Sequence, residues 1–298
     1  MEFIGEIAGL ATSFCFAITA LIFTATGRMI GSQSTNRMRL LFALTYLILL
    51  NFILFGEPLP FSAGTSRWVW LSLSGVIGLS LGDAWLFKSL VLVGARLGSL
   101  LLSLAPIFGA VIAWVFFDET LNPLQISGIL LALGGIAWVV TSHQEKADSP
   151  RGHTRQGVIF GVLSALAQAV GFVLSKQSMT GNFQPFQANA IRMLAAAAFV
   201  WVWAVADGQA GTTIENVKAH PKSLWLIAIG ALIGPALGVS SSLLAVQHIK
   251  VGVASTLMAL PPVIVLPISY FVFKERIAWQ GAAGTLLAIA GVAVLFLS

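Results

Sequence analysis

The sequence predicts an all-α integral membrane protein whose ten transmembrane helices form two inverted five-helix repeats. Only 9% of its 298 residues are charged and 57% are hydrophobic, whereas about a quarter of an ordinary soluble domain is charged. A surface with so few charges must face lipid over most of its area. The apolar runs are continuous rather than alternating with polar residues, which favours helices over the strands of a membrane barrel.

The second half of the chain repeats the first half at an offset of 156 positions. The segment Gly78 to Gly135 aligns without a gap on Gly234 to Gly291 (234 − 78 = 156). The aligned residues include these pairs: Pro106 and Pro262, Glu119 and Glu275. Such a repeat in an apolar chain is typical of transporters built from two related halves. Because each copy contains an odd number of spans, the second copy enters the bilayer inverted, and the halves can expose one central site to either side.

Each predicted span is an apolar run of about 20 residues that is bounded by a charge, a proline or a glycine-rich break. The first repeat, residues 1–140, contains the predicted spans 3–26, 40–55, 68–91, 97–117 and 124–140. The second repeat, residues 157–298, contains 158–174, 186–205, 224–246, 251–273 and 278–297. The polar stretch 141–156 is the expected inter-repeat loop, and the polar segment 207–222 is expected to carry a short surface helix.

Three short motifs carry a resemblance to a known family. They are the runs Gly82 to Trp85, Ser99 to Pro106 and Phe117 to Glu119, the last two of which recur in the second repeat. These motifs resemble the repeat of the drug/metabolite transporter superfamily, EamA type, and the similarity extends over nearly the whole chain. The resemblance implies a secondary transporter whose central cavity is lined mainly by spans one, three, four, six, eight and nine. The motifs are scaffold elements, so they do not identify a substrate.

The expected function is secondary active transport of a small metabolite by alternating access. The resembled superfamily includes exporters of amino acids, so the leading hypothesis is export of an amino acid or another amphipathic organic solute, with protons as the candidate coupling ion. Import or exchange of a similar solute, a channel and a membrane-embedded enzyme are the alternatives. The expected partners are the substrate and the lipid bilayer, without nucleic acid. The expected location is a bacterial cytoplasmic membrane.

The histidines argue against an enzyme and against a metal site. All four fall in loops or at a span end: His143, His153, His220 and His248. None has the clustered spacing of a membrane metal centre, and none lies inside a span where it could activate a serine nucleophile. We therefore expect no catalytic residue, no metal and no cofactor.

Asp83 is the leading candidate site residue because it is the carboxylate that lies well inside a predicted span. A buried carboxylate is costly in a membrane and is retained when it is paired, protonated or functional. Its counterpart in the second repeat is Val239, so the halves differ at this position. Asp83 is predicted to couple protons or to bind a substrate amine. The alternative is an ion pair with Lys88 that only orients span three.

Further candidates are polar or aromatic residues near the middle or end of a span. The predicted translocation pathway contains Asp83, Trp85, Lys88, Ser103, Gln168, Phe172, Lys176, Ser240 and Ser241. Lys176 aligns with Phe23 at an offset of 153 positions (176 − 23 = 153), so it could receive an anionic substrate. Arg39 and Arg192 recur at the same offset and are interpreted as interfacial anchors rather than substrate ligands. The prolines inside spans are the predicted hinges: Pro106, Pro261 and Pro262.

The span ends carry most of the charge of the chain. Glu119 and Glu275 are expected to anchor span ends or to cap the exposed amides of the next helix. Members of the resembled superfamily have both termini in the cytoplasm, which would place most lysines and arginines of this chain on the far side. Because Lys and Arg in short loops resist translocation, the charge distribution favours termini outside instead.

Overall fold

The computed structural model describes residues 3–142, 154–181, 183–261, 263–264 and 279–296. Apart from loops and turns, every element among them is helical. The first half contains α1 (Ile4–Ile30), α2 (Ser32–Phe55), a short 3-10 helix (Phe61–Ala63), α3 (Thr65–Ser74), the π-helical segment π1 (Gly75–Gly82), α4 (Asp83–Leu102), α5 (Ala105–Phe117) and α6 (Pro123–Ser142). The second half contains α7 (Thr154–Ser178), α8 (Pro185–Ala206), α9 (Ala210–Ala219), α10 (Pro221–Ala231), the π-helical segment π2 (Leu232–Gly238), α11 (Val239–His248), α12 (Val251–Met258) and α13 (Trp279–Phe296).

Helices occupy all ten predicted span positions. Six are long and apolar enough to cross a membrane: Ile4–Gly27, Ser32–Phe55, Thr65–Ser89, Arg155–Ser178, Pro185–Ala206 and Pro221–His248. Three shorter apolar helices occupy Ala105–Phe117, Pro123–Trp138 and Trp279–Val294. The remaining span begins at α12, and 265–273 of its predicted course lie outside the described residues. The all-α membrane fold is therefore confirmed.

The fifth and tenth spans show how the two halves are related. A Cβ on Gly135 in α6 would lie 2.8 Å from the Ala288 Cα in α13, and a Cβ on Gly291 would lie 2.8 Å from the Ala132 Cα. The partners are therefore reciprocal, since 288 − 132 and 291 − 135 both equal 156. As the residue number rises along α6 it falls along α13, so the two helices run antiparallel. This is the packing expected of an inverted repeat.

The first two spans are longer than the apolar runs predicted. The helix α1 ends one residue before Gly31, and α2 begins one residue after it. Gly31 has a φ of 85°, a positive value that glycine adopts without steric cost, and its N–H donates to the Gly27 carbonyl at 3.0 Å. Because the connection is so short, Arg37 and Arg39 lie within α2 rather than in a loop.

A helix break in the first half lies further along the chain than the predicted boundary between the third and fourth spans. The sequence placed it at 92–96, but α4 continues to Leu102 and the chain turns directly afterwards, at Ser103. The next helix, α5, has Pro106 in its first turn, where the missing proline N–H leaves no helical bond unmade. Pro106 therefore lies in the first turn of a helix that begins within the predicted fourth span, 97–117.

The second half breaks at the equivalent place. The non-helical pair Ala259 and Leu260 aligns with the turn of the first half (259 − 103 = 156). Pro261 follows directly, at the start of a helical stretch, whereas Pro262 lies outside the described residues. The hinge role of Pro106, Pro261 and Pro262 stays a prediction, but its location moves to the starts of helices.

The first span of each half packs against the third span of the other half. The helix α7 lies along α3, π1 and α4, while α1 lies along α10, π2 and α11. A Cβ on Gly171 of α7 would lie 3.2 Å from the Gly78 Cα, and one on Gly234 would lie 2.8 Å from the Thr19 side chain. The glycines of π1 and π2 thus allow the close helix packing that small residues permit in membranes. The two halves are therefore closely packed against each other at the π-helical segments.

Candidate functional site

The two π-helical segments mark the region where candidate site residues gather. π1 and π2 end at Gly82 and Gly238, which are equivalent positions (238 − 82 = 156). A π-helical turn contains an extra residue and departs from the regular α-helical hydrogen bonding, and such turns are frequent at functional sites. In π2, one cause of the irregular hydrogen bonding is Pro235, which lies inside the helix and has no N–H to donate.

Asp83 follows π1 directly and is 7% exposed. Its Oδ2 forms an ion pair with the Arg39 guanidinium of α2, and its Oδ1 accepts a 2.9 Å hydrogen bond from the Gln168 side chain of α7. The same Gln168 nitrogen also lies 3.3 Å from the Gly78 carbonyl oxygen. The structure therefore brings Asp83 and Gln168 together, and the network joins the two halves of the protein.

The alternative ion pair between Asp83 and Lys88 is wrong. Lys88 is exposed, and its Nζ lies 4.3 Å from the centroid of the Phe160 ring. Successive α-helical residues are about 100° apart, so five positions place the two side chains about 140° apart around α4. This angle directs Lys88 away from the Asp83 network.

The two arginines are buried, so their interpretation as interfacial anchors is wrong. Arg39 is 8% exposed and Arg192 is 1% exposed. Arg39 Nε donates to the Asn36 Oδ1 at 2.8 Å, and its guanidinium lies 5.6 Å and 5.4 Å from the centroids of the Phe23 and Phe87 rings. With Asp83 added, the Arg39 guanidinium has two hydrogen-bonding side chains and two aromatic rings as neighbours.

Arg192 is the counterpart of Arg39 but has a different environment. Its Nε and Nη1 have no hydrogen-bond acceptor within the part of the chain that the structure describes. The backbone of Arg192 packs against Gly75 of π1, whose Cβ would lie 2.9 Å from the Arg192 Cα. Sequence reasoning missed the importance of both arginines. The signal was the pair Asn36 and Arg39, which recurs as Asn189 and Arg192 (189 − 36 = 192 − 39 = 153).

Ser240 belongs to a hydrogen-bonded cluster that supports π2. Asn189 Nδ2 donates to the Pro235 carbonyl at 2.8 Å and to the Ser240 Oγ at 3.0 Å. Ser240 in turn donates to the Ala236 carbonyl at 2.6 Å. These bonds provide side-chain donors to backbone carbonyls of π2, where the helical hydrogen bonding is irregular. Ser241, the next predicted residue, is half-buried on α11.

Lys176 lies at the end of the bundle where α1 begins, which we call the amino-terminal end. It forms an ion pair with Glu119 and donates to the Ile249 carbonyl at 3.0 Å. Glu119 Oε2 also accepts the Val251 N–H at 3.1 Å, so it caps the first amide of α12. Glu119 therefore caps a helix of the other half rather than the next helix of the chain, and Lys176 is engaged by protein groups.

The amino-terminal end is closed by contacts between the halves. A Cβ on Gly252 of α12 would lie 2.8 Å from the Ala110 Cβ of α5, and a Cβ on Gly109 would lie 3.2 Å from the Val251 side chain. Lys250 Nζ donates to the Thr120 carbonyl at 2.6 Å. The described helices therefore leave no passage between α5 and α12 at this end.

The remaining predicted residues lie outside the Asp83 network. Phe172 is 9% exposed within a hydrophobic cluster of the core, Trp85 is half-buried on α4, and Ser103 is buried at the turn before α5. Within the described ranges, no group of three or more His, Cys, Asp or Glu side chains is placed to hold a metal ion. The Asp83 network thus places charged side chains inside the membrane, where they can bind a proton or a charged substrate.

Two comparisons with known proteins bear on this architecture. A family model described as the EamA-like transporter family matches residues 3–141 and 155–297. A chain of known crystal structure superimposes with a TM-score of 0.74 at 17% identity, covering 99% of this chain and 96% of that chain. At such low identity the structural similarity establishes the fold alone.

Three curated proteins are also similar in sequence. An uncharacterized transporter of Clostridium kluyveri is 24% identical over 143 residues, which are 48% of this chain and 45% of that protein. An uncharacterized transporter of Synechocystis is 24% identical over 253 residues, 78% of this chain and 74% of that protein. A probable 4-amino-4-deoxy-L-arabinose-phosphoundecaprenol flippase subunit of Pseudomonas paraeruginosa is 42% identical over 95 residues, 32% of this chain and 74% of that protein. The match thus spans less than half the length of the Clostridium protein.

Proposed function

Because the chain belongs to the EamA-like transporter family, we propose that it exports a small amphipathic metabolite across a bacterial cytoplasmic membrane by alternating access. Protons are the proposed coupling ion, and Asp83 is the proposed coupling residue. Transporters built from inverted repeats bind their substrates between the two halves. The network of Asp83, Arg39 and Gln168 is a charged group within the described spans that bridges the halves.

This buried network is the observation that carries the proposal. Asp83 and Arg39 are 7% and 8% exposed, inside helices that cross the membrane. A charged side chain inside a bilayer costs about 3 kcal/mol on insertion scales and marks an ion or substrate pathway more often than a structural contact. A network that joins α2 to α7 must rearrange when the halves move, so proton binding at Asp83 can be linked to that movement.

Asp83, Arg39 and Arg192 form a group of buried charges that we call the central cluster. The charges of this cluster favour a substrate with an anionic group. Arg39 and Arg192 contribute two positive charges and Asp83 one negative charge, which leaves a net charge of +1 (2 − 1). A carboxylate of an amino acid or organic acid would balance this charge where water is excluded. Because Asp83 already has a cationic partner in Arg39, the alternative role of binding a substrate amine is less well supported.

The test is transport of labelled amino acids and organic acids by proteoliposomes, with and without an imposed pH gradient. Asp83→Asn is expected to lose gradient-driven transport while keeping exchange between equal compartments, because exchange requires no net proton movement. Lys218→Met, an exposed lysine on α9 outside the predicted pathway, is the control and should keep normal coupling. Exchange activity also reports that the variant is folded. Full gradient-driven transport by Asp83→Asn would remove Asp83 from the coupling role.

A second candidate function is movement, between leaflets, of a sugar that is linked to a lipid through a phosphate. It is favoured by the 42% identity to a flippase subunit, which covers 74% of that protein. The excess positive charge of the central cluster suits a phosphate as well as a carboxylate. A leaflet-accessibility assay with a fluorescent polyprenyl-phosphate sugar in the same proteoliposomes separates the two functions. Flipping without transport of soluble acids would favour this second candidate.

A further inference from the structure

We infer that Arg192 is a positioning residue for transport, and that the Asp83 carboxylate alternates between Arg39 in the first half and Arg192 in the second. This inference rests on the alternating access proposed above. In the present arrangement Asp83 is paired with Arg39. In the arrangement open at the amino-terminal end, Asp83 would be paired with Arg192.

The repeat places an arginine at the same position in each half, but an aspartate in the first half alone. Arg39 and Arg192 occupy equivalent positions (192 − 39 = 153), but the counterpart of Asp83 is Val239 (239 − 83 = 156). An inverted-repeat transporter changes sides when its two halves exchange conformations. The two arginines are therefore expected to exchange environments when the transporter changes sides. Arg192 would then have the environment that Arg39 has now, and Arg39 that of Arg192. The single carboxylate can satisfy one arginine at a time.

The unpartnered nitrogens of Arg192 are the strongest evidence for the exchange. The residue is 1% exposed, and its Nε and Nη1 have no acceptor among the described residues. A guanidinium stays charged in proteins, and leaving a buried charge without a partner costs several kcal/mol. Such a cost is explained if the nitrogens gain an acceptor in another state of the transport cycle.

The Arg192 side chain of α8 reaches π1 about one helical turn before Asp83. Arg192 Nη2 would lie 3.5 Å from a Cβ on Gly78, and Gly78 precedes Asp83 by five residues, about one turn of a π-helix. Gln168 bridges this turn, since its side-chain nitrogen reaches both the Gly78 carbonyl oxygen and the Asp83 Oδ1. The Arg192 guanidinium, whose Nε and Nη1 lack acceptors among the described residues, and the Asp83 carboxylate are thus separated by about one helical turn, with Gln168 beside that turn.

The π-helical segment offers a way to make the exchange. A π turn contains one residue more than an α-helical turn, and one residue corresponds to about 100° of rotation around the helix axis. If the extra residue moves from before Asp83 to after it, the Asp83 side chain turns by about that angle while the ends of the span stay in place. A rotation of this size can redirect a side chain from one neighbouring helix to another.

The experiment measures which end of the bundle is open, without any substrate. Cys15 is replaced by alanine, and Ser255→Cys then provides a single thiol at the closed amino-terminal end, where Ser255 Oγ would lie 3.5 Å from a Cβ on Gly109. The rate of its modification by a maleimide reports how often that end opens. Because no substrate is used, an error in the proposed substrate or direction leaves this result unaffected.

Arg192→Met should keep the protein in the present state, so modification is expected to slow by about tenfold. Removing a buried charge that lacks a partner does not destabilise a protein, so this variant is expected to fold. Arg39→Met should speed modification by a similar factor, since Asp83 then has Arg192 as its available cation. In the Asp83→Asn background, the two arginine substitutions should give equal rates.

Arg37→Met is the matched control. Arg37 lies in the same helix as Arg39 and donates to Thr213 and Gln209, so its loss should leave the modification rate unchanged. If Arg39→Met does not fold, Arg192→Met alone decides the question against this control. Equal rates in Arg192→Met and in the Arg37→Met control would overturn the inference.

Discussion

The ion pair between Lys176 and Glu119 provides a direct test of how the amino-terminal end is held shut. Lys176→Met removes the cation but keeps a side chain of similar length. Glu119 would then keep the Val251 N–H but lose its charged partner, and the Ile249 carbonyl would lose its donor. Opening of α5 from α12 should become easier, because the closed state alone contains these contacts.

The expected size of the effect follows from the burial of the pair. The Lys176 and Glu119 side chains are 22% and 14% exposed, so their interaction lies between that of an exposed pair, up to about 1 kcal/mol, and that of a buried pair, about 3–5 kcal/mol. A value of about 2 kcal/mol changes an equilibrium constant by about thirtyfold. The fraction of molecules open at this end should rise by that factor.

The assay is maleimide modification of Ser255→Cys in the background that lacks Cys15. Lys88→Met is the control, because Lys88 is an exposed lysine on α4 that faces Phe160, away from the Lys176 contacts. The rate is expected to rise by about thirtyfold in Lys176→Met, within the limit set by full opening, and to stay constant in the control. An unchanged rate in Lys176→Met would refute the reasoning, since the contacts would then not hold the end closed.

Two further predictions concern packing and orientation. Gly75→Ala should lower the melting temperature and the yield of folded protein, because the new Cβ would lie 2.9 Å from the Arg192 Cα, whereas Gly211→Ala, with nothing within 4 Å, should be neutral; equal stability of both variants would contradict this. A cysteine at position 149, in the predicted inter-repeat loop, should resist an impermeant reagent in intact cells if the charge distribution sets the orientation. Modification there would instead favour termini in the cytoplasm.

The fold could be predicted because its signals are distributed over many residues. Apolar runs of sufficient length fix the number of spans, and the offset of 156 positions fixes the relation between the halves. The boundaries were less accurate, because hydropathy places a span end wherever a charge occurs. Arg39 is such a charge, yet the chain around it is helical and buried.

The candidate site was predicted only in part. Asp83 and Gln168 are identified by the contrast between a polar residue and its apolar surroundings, which is visible in the sequence. The partner of Asp83 is 44 positions away in Arg39 (83 − 39 = 44), and only the packing of α2 against α4 brings the two together. The π-helical segments are equally hidden, since an i to i+5 hydrogen-bond pattern depends on tertiary packing and has no periodic signature.

The reciprocal glycine contact between α6 and α13 has a consequence for how the two halves came to differ. A contact in which Gly135 meets Ala288 while Gly291 meets Ala132 is self-complementary, so the same surface would join two separate copies of a half-length chain into a symmetric dimer. In such a dimer every substitution appears twice, and a buried aspartate would bring a second buried aspartate with it. Joining the copies in one polypeptide removes that restriction. An aspartate opposite a valine, and a lysine opposite a phenylalanine, are combinations that a dimer of identical copies cannot have.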